Sequence, residues 1–177
     1  FDLDGLHRHL EPAPLERLQR AQSVLAQATE TTQRLMRNLR PPILDAGLAS
    51  ALESLVREFR QRTGIAIEFH ANASQEPLNA NASLTLYRTC QEALTNVAKH
   101  AVARNVTVDL HHGSDAVSLE IIDDGRGLAS GSLQKPGSLG LRGIAERAHA
   151  AAGTLDISSR DARTTLMLWL PIVKEAA

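Results

Sequence analysis

The stretch QEALTNVAKH (91–100) gathers a carboxylate, an amide, an ammonium and an imidazole: Glu92, Asn96, Lys99 and His100. On an α-helix with Glu92 at zero, Asn96 falls at about 40°, Lys99 at about −20° and His100 at about 80°. Cys90, Leu94, Val97 and Ala101 fall between about 140° and 200°, on the opposite side. One face is apolar and the other is polar, a pattern that a merely solvated helix would also show. The residue types add something. A carboxylate and an amide oxygen one turn apart suit a hard Mg²⁺ ion with its waters. A nearby Lys or His suits phosphate oxygens. Such a face can hold a metal-bound nucleotide.

Two further stretches carry chemistry. In IIDDGRG (121–127) an apolar strand delivers Asp123 to its end, and Gly125 and Gly127 let the chain turn away. A carboxylate on the rim of an apolar pocket can accept a hydrogen bond from an exocyclic amine. An acidic turn is the plainer reading of the same residues. In GSLGLRGIAER (137–147), Gly137, Gly140 and Gly143 sit where a loop meets a helix start. Free N–H groups and the helix dipole there can receive phosphates. Taken alone, such glycines often mark nothing more than a loop.

The elements that must position these residues follow from periodicity. Leu48, Leu52, Leu55, Val56 and Phe59 share one helical face, and Gly64 suits a helix end. GIAIEFHA (64–71) alternates and reads as a strand, and ANASQEPLNA (71–80) reads as a loop. A helix is expected over Ser83–Val102. NVTVDLHH and AVSLEIIDD read as strands around a turn at His112–Asp115. After the glycine-rich segment 125–140 come a helix ending at Gly153 and two strands, TLDISSR and TTLMLWLPI, with a turn near Asp161. The expected class is α+β, a mostly antiparallel sheet with helices on one face.

The N-terminal part differs. Leu3, Leu6 and Leu10 have helical spacing until Pro12 and Pro14 break it. Leu15, Leu18, Ala21, Leu25, Ala28, Thr32, Leu35 and Leu39 then form a near-heptad seam that stops at Pro41. This predicts a helical hairpin that dimerises to cover its seam, or a long helix packed on its own C-terminal domain. The 177 residues, 43% hydrophobic and 22% charged, fit an ordinary globular chain. A net charge of −1 offers no bulk attraction to nucleic acid or to an anionic membrane. One cysteine, Cys90, excludes an internal disulfide and a cysteine-cluster metal site. No apolar run approaches the roughly 20 residues of a membrane span.

Taken in order, QEALTNVAKHA, DDGRG and GSLGLRGIAERA resemble the N, G1 and G2 boxes of the histidine-kinase ATP-binding domain, within the wider GHKL ATPase group. RLMRNLRPPILDAGLASALESLV (34–56) resembles the segment that joins the dimerisation hairpin to the ATPase in sensor kinases paired with LuxR-type (NarL-like) response regulators. The resemblance implies a two-layer α/β sandwich of the GHKL type, preceded by part of a helical dimerisation hairpin. The implied divisions are hairpin 1–42, linker helix 43–62 and ATP-binding catalytic domain 63–177. Implied cofactors are ATP and Mg²⁺. Carried over to this sequence, Glu92 acts as general base or orients the attacking group, and Asn96 ligates Mg²⁺. Lys99 and His100 approach the phosphates. Asp123 binds the adenine amine, with Gly125 and Gly127 shaping its pocket. Gly140, Leu141 and Gly143 fall in the G2 box. The final box has Arg163-Thr164 where Gly-Thr is usual, which leaves Thr164 as the contributor. Residues 128–139 correspond to the ATP lid.

The resemblance further implies γ-phosphoryl transfer to a histidine, then to an aspartate of a cognate response regulator. In this subfamily the acceptor His is followed by Asp or Glu; His7 is followed by Arg8 and His9 by Leu10. The acceptor is therefore expected upstream of Phe1, and this chain is expected to bind ATP without phosphorylating itself. The expected parent is a homodimer through its hairpin, cytoplasmic, and anchored to a membrane, if at all, through a preceding segment. Other readings are a different GHKL ATPase, an anti-sigma-type Ser kinase, or a degenerate domain that only binds a partner.

Overall fold

The structure, a computed structural model, describes residues 16–25, 41–72, 78–127 and 139–172. Contacts divide the chain into two units, Phe1–Pro41 and Pro42–Ala177. In the first unit residues 16–25 are helical (α1), and Val24 and Leu25 stand 60% and 58% exposed. The other residues of the expected hairpin, His7 and His9 among them, lie outside the described residues.

The second unit opens with a 3₁₀ turn at Pro42–Ala46 and α2 (Leu48–Thr63). Then come β1 (Ala66–Ala71), α3 (Ala80–Asn96), a π-helical turn at Val97–Ala101, β2 (Asn105–His112) and β3 (Ala116–Asp123). α4 (Leu139–Ala150), β4 (Thr154–Arg160) and β5 (Arg163–Pro171) complete it. The five strands form one sheet in the order β1-β2-β3-β5-β4. β1 runs parallel to β2, and the other neighbours are antiparallel.

Local chemistry sets the element ends. Gly64, at φ 72°, closes α2 with its N–H on the Arg60 carbonyl, a left-handed geometry that glycine adopts without steric cost. α3 begins at Ala80 rather than at the expected Ser83. The reason is Asn79, whose Oδ1 accepts from the Ala82 N–H at 2.7 Å and caps the helix. Alternation sorts the sheet into two faces. Val106, Val108 and Leu110 of β2, Val117, Leu119 and Ile121 of β3, and Leu166, Leu168 and Leu170 of β5 are buried. They share one core with Leu52, Phe59, Leu86, Leu94 and Ile144 of the helices. Each such side chain contributes roughly 1.5–3 kcal/mol when fully buried. The alternate positions, among them Asp109, Ser118, Glu120 and Met167, are only partly covered, and Trp169 is 43% exposed. The result is the expected two-layer α/β sandwich.

This topology places two chain segments at one end of the sheet. β2 starts at Asn105, just beyond the π-helical turn, and antiparallel β3 ends at Asp123, opposite Val106. The C-terminal end of the α3 helical run and the IIDDGRG turn therefore meet. Among the described residues no helix is long and apolar enough to cross a membrane.

Candidate functional site

Asp123 is only 6% exposed, on a strand whose buried positions are otherwise apolar. The Gly125 N–H donates to its Oδ1 at 2.9 Å. The Thr164 hydroxyl donates to it as well, from the position directly opposite in the β3–β5 ladder. Burial still pushes the carboxyl above its ordinary value, against the lowering effect of these two bonds, and the charge of Asp124 adds to the rise. The turn that follows leaves no room for a side chain at either glycine. A Cβ on Gly125 would run into the Ala101 carbonyl and sit 2.7 Å from Asp123 Oδ1. Gly127 has φ 73°, and a Cβ there would sit 2.5 Å from Ser159 Oγ.

The polar face of α3 meets α4. Glu92 is partly buried and packs against Gly140 of α4, where any Cβ would run into Glu92 Oε1. The glycine lets the first turn of α4 close onto the carboxylate. Asn96, one turn beyond Glu92, has its Nδ2 sealed from solvent with no hydrogen-bond partner. Leaving a buried donor unpaired costs about 1–3 kcal/mol, and such an N–H group calls for an acceptor such as a water or a ligand oxygen.

After Asn96 the helix widens into the π turn. Its i→i+5 bonding reduces the rotation per residue below 100°, so the wheel bearings expected for Lys99 and His100 do not apply. Both side chains are exposed. The turn ends at Val102, which is 81% exposed and has φ 57°, a left-handed conformation that β-branched residues rarely adopt.

The structure thus joins Asp123, Gly125, Thr164 and the Ala101 carbonyl in one cluster, and Glu92 with Gly140 in a second contact. Lys99 and His100 extend from the connecting turn. Gly143 is less confined: a Cβ there would meet the flexible Arg147 guanidinium at 3.3 Å. Leu141 belongs to the first turns of α4, and its side chain is outside the described atoms. Residues 128–138 of the expected ATP lid, 128–139, are likewise outside the described residues. Cys90 is buried and its thiol is pushed up to about 12 by burial, which leaves it without thiolate character at neutral pH.

Sequence reading passed over Asp124. Its Oδ1 accepts from the N–H groups of Arg104 at 2.7 Å and Asn105 at 2.8 Å. Its Oδ2 accepts from Asn105 Nδ2 at 2.7 Å. These bonds hold its carboxyl below its ordinary value. The available signal was an acid directly after Asp123 together with an Asn opening the neighbouring strand.

Among the described residues no group of three or more His, Cys, Asp or Glu side chains could hold a metal ion. A metal at this site would rest on Asn96 together with oxygens of its own ligand and water, which is how Mg²⁺ commonly sits beside phosphates. Residues 81–174 match the model of the family described as histidine kinase-, DNA gyrase B-, and HSP90-like ATPase. The chain belongs to that ATPase family. The matched span contains every site residue described above.

Named relatives of this ATPase chain are sensor kinases. It is 37% identical over 158 residues to the sensor histidine kinase MctS of Rhizobium johnstonii, covering 87% of this chain and 34% of that protein. It is 32% identical over 160 residues to the oxygen sensor histidine kinase NreB of Staphylococcus carnosus, covering 89% and 46%. The chain therefore spans less than half the length of these relatives. Among solved structures, the histidine kinase domain of a blue-light activated histidine kinase from Erythrobacter litoralis superposes with TM-score 0.63 at 17% identity, covering 97% of this chain and 93% of that one. That likeness shows a shared fold.

Proposed function

We propose that this chain is the ATP-binding catalytic portion of a sensor histidine kinase. It binds Mg²⁺·ATP between the IIDDGRG turn and the polar face of α3. The observation that carries the reading is the buried Asp123 carboxylate beside Thr164, at a glycine turn that admits no side chain, with the orphaned Asn96 amide on the neighbouring helix. Asp123 accepts a hydrogen bond from the adenine amine, and Gly125 and Gly127 leave space for the base. Asn96 fits a hard cation through its amide oxygen. Bound Mg²⁺ supplies neutralisation of phosphate charge, the main requirement of phosphoryl transfer. Lys99 and His100 lie where they can meet phosphate oxygens, and Glu92 orients or deprotonates the attacking imidazole. Gly140, Leu141 and Gly143 lie along the start of α4, whose backbone faces the phosphates. The γ-phosphoryl group passes to a histidine of the parent protein, and then to an aspartate of a LuxR/NarL-type response regulator. The parent acts as a homodimer through its helical hairpin, with this portion in the cytoplasm.

The test is calorimetric titration of Mg²⁺·ATP into the wild-type chain, Asp123→Asn and Asn96→Ala. A hydrogen bond to a charged group is worth about 1.5–3 kcal/mol, so Asp123→Asn is expected to weaken binding about 10- to 100-fold. Asn96→Ala is expected to weaken binding with Mg²⁺ and to change little without it. The sign of the pH dependence follows from the raised carboxyl. Asp123 favours the folded state only when protonated, so ionising it lowers stability as pH rises through its raised value. The ionised carboxylate is the stronger acceptor for the adenine amine. Affinity therefore falls on acidification earlier than for an ordinary aspartate, and Asp123→Asn lacks that fall. A folded wild-type chain that binds no Mg²⁺·ATP would overturn the reading.

A further inference from the structure

The two segments that frame the site are joined by a compact set of bonds that the nucleotide reading leaves without a role. Beyond the π turn the chain passes through left-handed Val102 and must still satisfy the N–H groups of Arg104 and Asn105. The carboxylate of Asp124 takes both on one oxygen, at 2.7 and 2.8 Å. Its other oxygen takes the Asn105 side-chain amide at 2.7 Å. The backbone adds the Asp124 N–H on the Asn105 carbonyl at 3.2 Å and the Arg126 N–H on the Ala101 carbonyl at 2.8 Å. Asp124 thus spends both its oxygens on the segment that carries Lys99 and His100, although it is exposed and has an acid as its neighbour.

We infer that Asp124 is a positioning residue: it locks the π-helical turn, and with it the phosphate-facing Lys99 and His100, in register with the adenine-facing Asp123. This rests on the proposed nucleotide site and assigns a role that no contact with the nucleotide requires. The physical reason is strain. Val102 holds a left-handed conformation that crowds the Cβ of an L-residue against its own backbone, so the turn relaxes unless its far side is tied down. Water can replace the carboxylate at the exposed N–H groups, but it does not fix their distance from β3. Without Asp124 the adenine pocket persists, because Asp123 keeps Gly125 and Thr164, while the cationic turn drifts.

That asymmetry is measurable. Affinities of adenosine and of Mg²⁺·ATP are compared for the wild-type chain, Asp124→Ala, Asp124→Asn, Asn105→Asp and the double variant Asp124→Asn/Asn105→Asp. In Asp124→Ala, the triphosphate is expected to bind about 10-fold more weakly and adenosine to lose less than about 3-fold, the scale of one or two hydrogen bonds. Asp124→Asn opposes two amide donors and Asn105→Asp opposes two carboxylates. The double variant restores a donor–acceptor pair and is expected to recover most of the triphosphate affinity. Amide hydrogen exchange at Arg104 and Asn105 should quicken in Asp124→Ala. Equal losses for adenosine and triphosphate, or no loss for either, would overturn the positioning role, as would failure of the double variant to recover. If the wild-type chain bound no triphosphate, the nucleotide reading would fall and the role with it; unchanged exchange in Asp124→Ala would remove the clamp independently of any ligand.

Discussion

The two ends of the sheet are built on opposite terms. At the β2–β3 turn, the Asn72 side chain donates to the His112 carbonyl at 2.8 Å and accepts from its N–H at 2.7 Å. Gly113 N–H closes on the Ala116 carbonyl at 2.8 Å, and Ile172 N–H reaches the Asp115 carbonyl at 2.8 Å. There are two exceptions at this end: His112 Nε2 is buried and unpaired, and Ala152, just before β4, has φ 53°. At the other end stand a buried carboxylate, an unpaired buried amide, a π turn and a β-branched residue at positive φ. Strain and unpaired polar groups cost free energy that a purely structural turn avoids, and they gather where a ligand can offset them. The difference agrees with the proposed placement of the nucleotide between the IIDDGRG turn and α3.

Matched glycine substitutions test the contrast most severely. In Gly125→Ala the new methyl group would meet backbone and a buried carboxylate, neither of which can yield. Overpacking of this kind costs about 1–3 kcal/mol, and nucleotide binding should be lost with it. Gly113→Ala places its Cβ 3.2 Å from the Ala116 carbonyl, at an open turn. That variant should stay within about 1 kcal/mol of wild type with unchanged nucleotide affinity. Urea unfolding and calorimetry on both variants read these outcomes. Equal effects at the two glycines would erase the distinction between the ends.

Sequence pattern carried most of the frame and less of the site. The alternation in NVTVDLHH, AVSLEIIDD and TTLMLWLPI reported both strand positions and the buried face, because burial on one side of a sheet enforces a period of two. The apolar side of α3 was equally legible: Cys90, Leu94 and Val97 are buried as their spacing requires. The polar side was legible only as far as Asn96. A π turn has no composition signature in VAKHA, so the placement of Lys99 and His100 depends on backbone hydrogen bonding that spacing cannot report. Asp123 stood out because it ends an apolar run. Asp124 did not, since its partners are backbone N–H groups of a segment some twenty residues away, adjacent only through the antiparallel register. Asn79 was hidden for another reason: an Asn in a polar loop and an Asn at a helix cap look alike until the following helix is placed.

A smaller effect is expected at the satisfied end. Asn72→Ala removes two hydrogen bonds to one residue, both exposed to solvent. Water replaces part of each, so the loss should be about 1 kcal/mol, seen as a lower thermal midpoint. Nucleotide affinity should not move, because this bond pair ties the β1 end to the far end of β2. Loss of affinity in Asn72→Ala at a temperature well below unfolding would mean that the two ends are coupled through the sheet.

The smallest effect has the opposite sign. Val102 is 81% exposed, so replacing it with glycine forfeits little apolar burial. Its φ of 57° costs an L-residue about 1–2 kcal/mol, while glycine adds back about 0.5–1 kcal/mol of unfolded-state entropy. Val102→Gly should therefore raise stability by about 0.5 kcal/mol, near the limit that replicate thermal melts resolve. A stabilised protein would show that the site end holds a conformation its own sequence resists, with Asp124 on one side and the α3 helical run on the other keeping it there. A clear fall in stability would instead mean that the Val102 side chain is supporting the turn, and the strain argument for this end would have to rest on Asn96 and Asp123 alone.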